Sequence, residues 1–91
     1  MEKIYKYKLD DPFSEIILPV GSRILNAGIQ NDEMFMWAIV NTENGVSEVR
    51  RFYYVNTGDE IVYPLYALDY INTATSRNGI VWHIFEIAES N

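Results

Sequence analysis

The sequence has no cysteine, one histidine (His83), three prolines and five scattered glycines among 91 residues. Without cysteine there is neither a disulfide framework nor a thiolate metal site. With a single histidine, a transition-metal centre would need carboxylates for nearly every ligand. No metal and no cofactor are therefore expected. Gly21, Gly28, Gly45, Gly58 and Gly79 make neither a dinucleotide fingerprint nor a Walker loop, and each falls where a turn or bulge is expected. No nucleophile elbow is present, and any catalytic triad would have to use His83. The adjacent carboxylates Asp32-Glu33 and Asp59-Glu60 lie in turn sequences, and an extended chain would point the members of each pair opposite ways. The expectation is a binding protein and not an enzyme.

Cations are also scarce. Seven Lys and Arg stand against thirteen Asp and Glu, a formal charge of −6. That balance argues against DNA, RNA and anionic membrane surfaces, whose affinity comes from neutralising many phosphates. It leaves open a small phosphorylated ligand, which one or two placed cations can hold. No apolar run approaches the roughly 20 residues that span a bilayer. Met1 to Leu9 alternates charge with tyrosine and does not read as a signal peptide, so the expected location is cytoplasmic.

What the chain does have is β-forming residues in alternation. Strands are expected over Lys3–Leu9, Ser14–Leu18, Arg23–Gln30, Met34–Val40, Glu48–Asn56, Ala67–Thr75 and Ile80–Ile87. Turn signals separate them: Asp10-Asp11-Pro12, Asn31-Asp32-Glu33, Asn44-Gly45, Thr57-Gly58-Asp59 and Asn78-Gly79. Asn44-Gly45 is the strongest hairpin signal, and it predicts that Glu48–Asn56 folds back on Met34–Val40. Met34–Val40 is apolar on both faces, as in the middle of a sandwich or at a subunit interface. Gly28 marks a bulge or a close backbone approach. Residues 60–65, with Pro64, read as irregular or as a short helical turn. The fold class is all-β: one domain, a small antiparallel sandwich or barrel of about seven strands with at most one short helical turn. A chain this short buries only about 60–65% of its unfolded surface, so a homo-oligomer is expected to supply more.

Polar residues in apolar strands are the candidates for binding. Arg50 and Arg51 are adjacent, so the pleat sends them to opposite faces, and at least one must be ion-paired or hold an anion. An arginine fork suits a phosphate or carboxylate, whereas the plentiful acids offer ordinary ion pairs. Trp82 and His83 in the last strand could stack on a base and donate to phosphate; a hydrogen-bonded core histidine is the other reading. Tyr5 and Tyr7 share one side of a first strand flanked by Lys3, Lys6 and Lys8, which suits a nucleobase with its phosphate or an edge strand protected by lysines. Thr57 and Gly58 could offer a hydroxyl and backbone N–H groups to an anion, or form a plain turn.

Several segments together carry a family resemblance: IYKY (4–7), LPVGSRILNAGIQN (18–31), MWAIV (36–40), RRFYYVNTG (50–58), YINTA (70–74) and GIVWHIFE (79–86). In order and spacing they are similar to a family of short tailed-bacteriophage proteins that carry a domain of unknown function. Residues 59–66 and the Ser90-Asn91 tail have no counterpart in it. Small phage proteins of this kind include the anti-CBASS sponges, oligomers that sequester cyclic-nucleotide immune signals. The resemblance implies a phage-encoded immune-evasion protein in the host cytoplasm, binding a small anionic nucleotide such as a cyclic dinucleotide without hydrolysis, in a pocket shared between subunits. The residues proposed above come from their own chemistry and are not carried over from the family. The other reading is a small phage protein that inhibits a host protein or serves a structural role.

Overall fold

The computed structural model describes residues 1–88. Seven strands lie among them: β1 (Glu2–Lys8), β2 (Phe13–Pro19), β3 (Arg23–Gln30), β4 (Glu33–Asn41), β5 (Ser47–Asn56), β6 (Leu68–Thr75) and β7 (Val81–Ile87), with one 3-10 turn at Leu65–Ala67. They form two antiparallel sheets, β1-β4-β3 and β2-β5-β7-β6. The all-β fold expected from the alternation is what the structure contains.

The core lies between the sheets. Alternate residues of each strand point inward, and Leu18, Met36, Val40, Phe52 and Ile84 are essentially inaccessible to solvent. Leu9, just past β1, is equally buried and ties its N–H to the Met34 carbonyl at 2.9 Å. The apolar double face of β4 follows from its central place. Met34, Met36, Ala38 and Val40 face the core, while Phe35, Trp37 and Ile39 lie half-buried on the outer side. There the Lys6 ammonium sits 4.5 Å from the Phe35 ring centroid. Trp37 lies against Gly28, where a Cβ would meet its ring at 3.5 Å. Gly28 is thus the close approach; the bulge of β3 lies earlier in the strand, between Ile24 and Asn26.

One connection differs from expectation. β5 does not fold back on β4, because both edges of β4 are occupied by β1 and β3. The chain crosses instead to the second sheet, where β5 pairs with β2 and β7. Asn44 builds this crossing: its Oδ1 accepts from the Val46 N–H at 3.0 Å and its Nδ2 donates to the Val20 carbonyl at 3.1 Å. Gly45 does not take the left-handed conformation that a tight Asn-Gly hairpin requires. The tight hairpin is at Asn31-Asp32, between β3 and β4, where φ is 52° and 61°. Both are residue types that tolerate this region.

The sheets are joined along one side by a side chain. Asn72 of β6 accepts from the Ala27 N–H at 2.9 Å and donates to the Ala27 carbonyl at 2.6 Å. It pairs with β3 as another strand would. The bulge between Tyr70 and Asn72 turns Asn72 toward that edge.

Candidate ligand-binding pocket

Register places the paired arginines on opposite faces of β5. Arg50 shares the inner face with Phe52 and Tyr54 and is engaged at all three nitrogens. Its Nε and Nη2 donate to Glu86 Oε2 and Oε1 at 2.5 and 2.8 Å, and its Nη1 donates to the Ser22 carbonyl at 2.5 Å. The hydrogen bond to Glu86 raises the Arg50 pKa against the opposing effect of burial, so the guanidinium stays charged. Arg51, on the outer face, donates to Glu15 Oε2 at 3.1 Å across the β2–β5 ladder.

His83 is also on the outer face, with both ring nitrogens engaged. Nε2 lies 2.7 Å from Thr57 Oγ1 and Nδ1 lies 3.0 Å from Thr73 Oγ1, which in turn meets the Tyr70 hydroxyl at 2.7 Å. A hydroxyl can donate or accept, so this arrangement suits either tautomer. Thr57 therefore meets His83 as a tie between the turn after β5 and strand β7. Gly58 follows with φ of 94°, a turn position. Tyr5 and Tyr7 face inward on β1, with Tyr7 packed on the core; burial, reinforced by Tyr5, raises its pKa. Lys6 and Lys8 point to the other side of that strand, where Lys6 reaches Gln30 and Lys8 reaches Asp10 and Glu33. The pleat thus separates the tyrosines from these cations. Arg50, Arg51, Trp82 and His83 do not converge on one site.

Trp82 does reach a cavity. At one end of the sandwich the β3–β4 and β6–β7 hairpins stand apart over a space of about 550 Å³. Its apolar wall is Ile29, Met34, Tyr54, Ile80 and Trp82, and its polar rim is Asp32, Ser76, Arg77 and Asn78. Tyr54 and Trp82 lie on neighbouring strands with ring centroids 5.2 Å apart and planes at 83°. Burial holds the Tyr54 hydroxyl pKa above its ordinary value, with Asp11 and Asp10 adding to the effect. The rim loop is braced from within: the Ser76 N–H donates to the Ile80 carbonyl at 2.8 Å, the Gly79 N–H to the Ser76 carbonyl at 3.0 Å, and the Ser76 hydroxyl bonds Asn78 Oδ1. Gly79, with φ of 86°, closes the turn.

Arg77 at the tip of this loop is exposed and makes no hydrogen bond or ion pair among the described residues; Asp32, on the opposite hairpin, makes none either. An aromatic wall beside an uncommitted guanidinium can take a planar ring and an anionic group together. Sequence reasoning did not single out Arg77 or Tyr54 as binding residues, and it read Asp32 only as a turn carboxylate. Tyr54 and Trp82 could have been placed on one side of neighbouring strands from the pleat. The approach of two hairpin tips has no local signal.

No curated protein and no solved structure matches the chain. Residues 1–91 match the model of the family described as Domain of unknown function (DUF7352), and the chain belongs to that family.

Proposed function

We propose that this protein is a non-catalytic binder of a small anionic nucleotide, such as a cyclic dinucleotide, and holds it in the cavity between the two hairpins. The observation that carries the reading is the uncommitted Arg77 at the rim of a cavity walled by Trp82 and Tyr54. The volume of about 550 Å³ lies within the ~300–1,000 Å³ usual for small-molecule sites. A base stacks on the indole, which is worth about 1–3 kcal/mol, and a phosphate takes the arginine fork. Asp32 can accept hydrogen bonds from the base edge or from ribose hydroxyls. The strongly acidic surface disfavours polyanions but does not prevent one or two phosphates from pairing at Arg77. The resemblance to small phage proteins supports a wider role: a homo-oligomeric, phage-encoded sponge that sequesters an immune signal in the host cytoplasm.

The test is calorimetric titration with cyclic di-AMP, cyclic di-GMP and AMP, together with the melting temperature in each. Binding and an upward shift in melting are expected for at least one, with the ligand recovered unchanged after denaturation. Arg77→Ala should weaken that binding about 10- to 100-fold, the range for losing a charge-assisted hydrogen bond, while leaving melting of the free protein unchanged. No heat and no shift with any of them, or a ligand recovered cleaved, overturns the reading.

A further inference from the structure

The rim of the cavity between the two hairpins is chemically uneven. The Ser76 hydroxyl is fully used, since it bonds Asn78 Oδ1 and accepts from the Ile80 N–H at 3.1 Å. Three polar side-chain groups of the rim have no partner among the described residues: the Arg77 guanidinium, the Asn78 amide nitrogen and the Asp32 carboxylate. The first two only donate. Asp32 is the one carboxylate among the residues that line the space, and an ionised carboxylate only accepts. The donors stand on the β6–β7 hairpin and the acceptor on the β3–β4 hairpin, so the two sides of the cavity carry opposite charge. On the β3–β4 side, Ile29 and Met34 are register partners in the apolar wall, and Asp32 lies in the turn just beyond them.

We propose that Asp32 makes this site selective for guanine. The assignment rests on the nucleotide reading given above and names the base. A phosphate beside Asp32 is repelled, so the phosphate belongs at Arg77 and the base edge at the opposite hairpin. Guanine presents two adjacent donors on its Watson–Crick edge, N1–H and the exocyclic N2–H, and the two carboxylate oxygens match them. Adenine and cytosine place one amino donor beside a ring-nitrogen lone pair, and uracil has one N–H between two carbonyl oxygens. Each of these sets an acceptor against a carboxylate that has no proton to give. A bidentate pair to a base edge discriminates by about 10- to 100-fold. The Asn78 amide and Arg77 are left for phosphate oxygens and ribose. Asp32 also has a backbone φ of 61°, which asparagine tolerates equally, so Asp32→Asn keeps the turn while replacing one acceptor by a donor.

Calorimetric titration of the full chain with GMP, IMP, AMP, cyclic di-GMP and cyclic di-AMP tests it. Each guanine ligand should bind about 10- to 100-fold more tightly than its adenine counterpart. IMP, which lacks the N2 amino group, should fall between GMP and AMP. Asp32→Asn should bring guanine and adenine ligands to similar affinity and leave melting of the free protein unchanged, since Asp32 has no partner to lose. Removing a negative charge without any base contact would raise every affinity together, so the ratio is the readout. Arg77→Ala should weaken all the ligands alike and preserve the ratio. Adenine ligands bound as tightly as guanine ligands, or a guanine preference that survives in Asp32→Asn, overturn the guanine assignment and leave the cavity reading standing. No binding of any of the five overturns both.

Discussion

The Arg50 guanidinium stands on the inner face of β5, where an unpaired charge would be expensive, and each of its nitrogens has an acceptor. Glu86 depends on it in turn, since both side chains are about four-fifths hidden from solvent. Arg50→Met should therefore cost more than the pair itself contributes, because it strands the Glu86 carboxylate. We expect a loss of about 2–3 kcal/mol in urea denaturation, somewhat below the range for fully buried pairs. Adding Glu86→Leu should recover most of it. Arg51→Met, whose pair with Glu15 lies at the surface, should cost under about 1 kcal/mol. That the two arginines must part was legible in the sequence, since adjacent strand residues face opposite ways. Which acid each would meet was not, because Glu86 and Glu15 become neighbours only through the β5–β7 and β2–β5 registers.

At the level of elements, the sandwich is closed on one side by the Asn72 side chain in place of a strand pair. Asn72→Ala removes both hydrogen bonds to Ala27, and we expect about 1–3 kcal/mol of destabilisation. Native-state hydrogen exchange should show the Ala27 amide unprotected while the β5–β7 amides keep their protection. Most strand limits could be read from alternation to within a residue or two. The exception was the pairing of β5. Asn44-Gly45 is a hairpin signal only when the strand before it has a free edge, and the two edges of β4 are filled by strands distant in sequence. Asn31-Asp32 was the weaker signal and does make a hairpin, because nothing competes for the pairing of Gln30 with Glu33.

For the whole molecule, burial of tyrosine hydroxyls links stability to alkaline pH. Tyr7 and Tyr54 are both held above their ordinary value of 10.0, chiefly by desolvation. As pH rises through 10 the unfolded chain gives up these protons before the folded one does. Their contribution is thus fully present below pH 10 and lost as pH climbs through the folded-state values. Urea midpoints should fall above pH 10, and Tyr54→Phe should make that fall shallower while leaving Tyr7 to account for part of it.

By itself the sequence determined the all-β class, the position of nearly every strand, which residues of each strand share a face, and the acidic net charge. These follow from local alternation, turn residues and summed charge, none of which depends on what lies across the core. Tertiary structure decided which strand lies beside which, that Arg50 meets Glu86, and that His83 is held between two threonines. It alone places the β3–β4 and β6–β7 hairpins at one cavity, so that Arg77, Asp32, Trp82 and Tyr54 line the same space. Contacts between residues some fifty positions apart arise from the packing of two sheets on one core, and no local pattern encodes them.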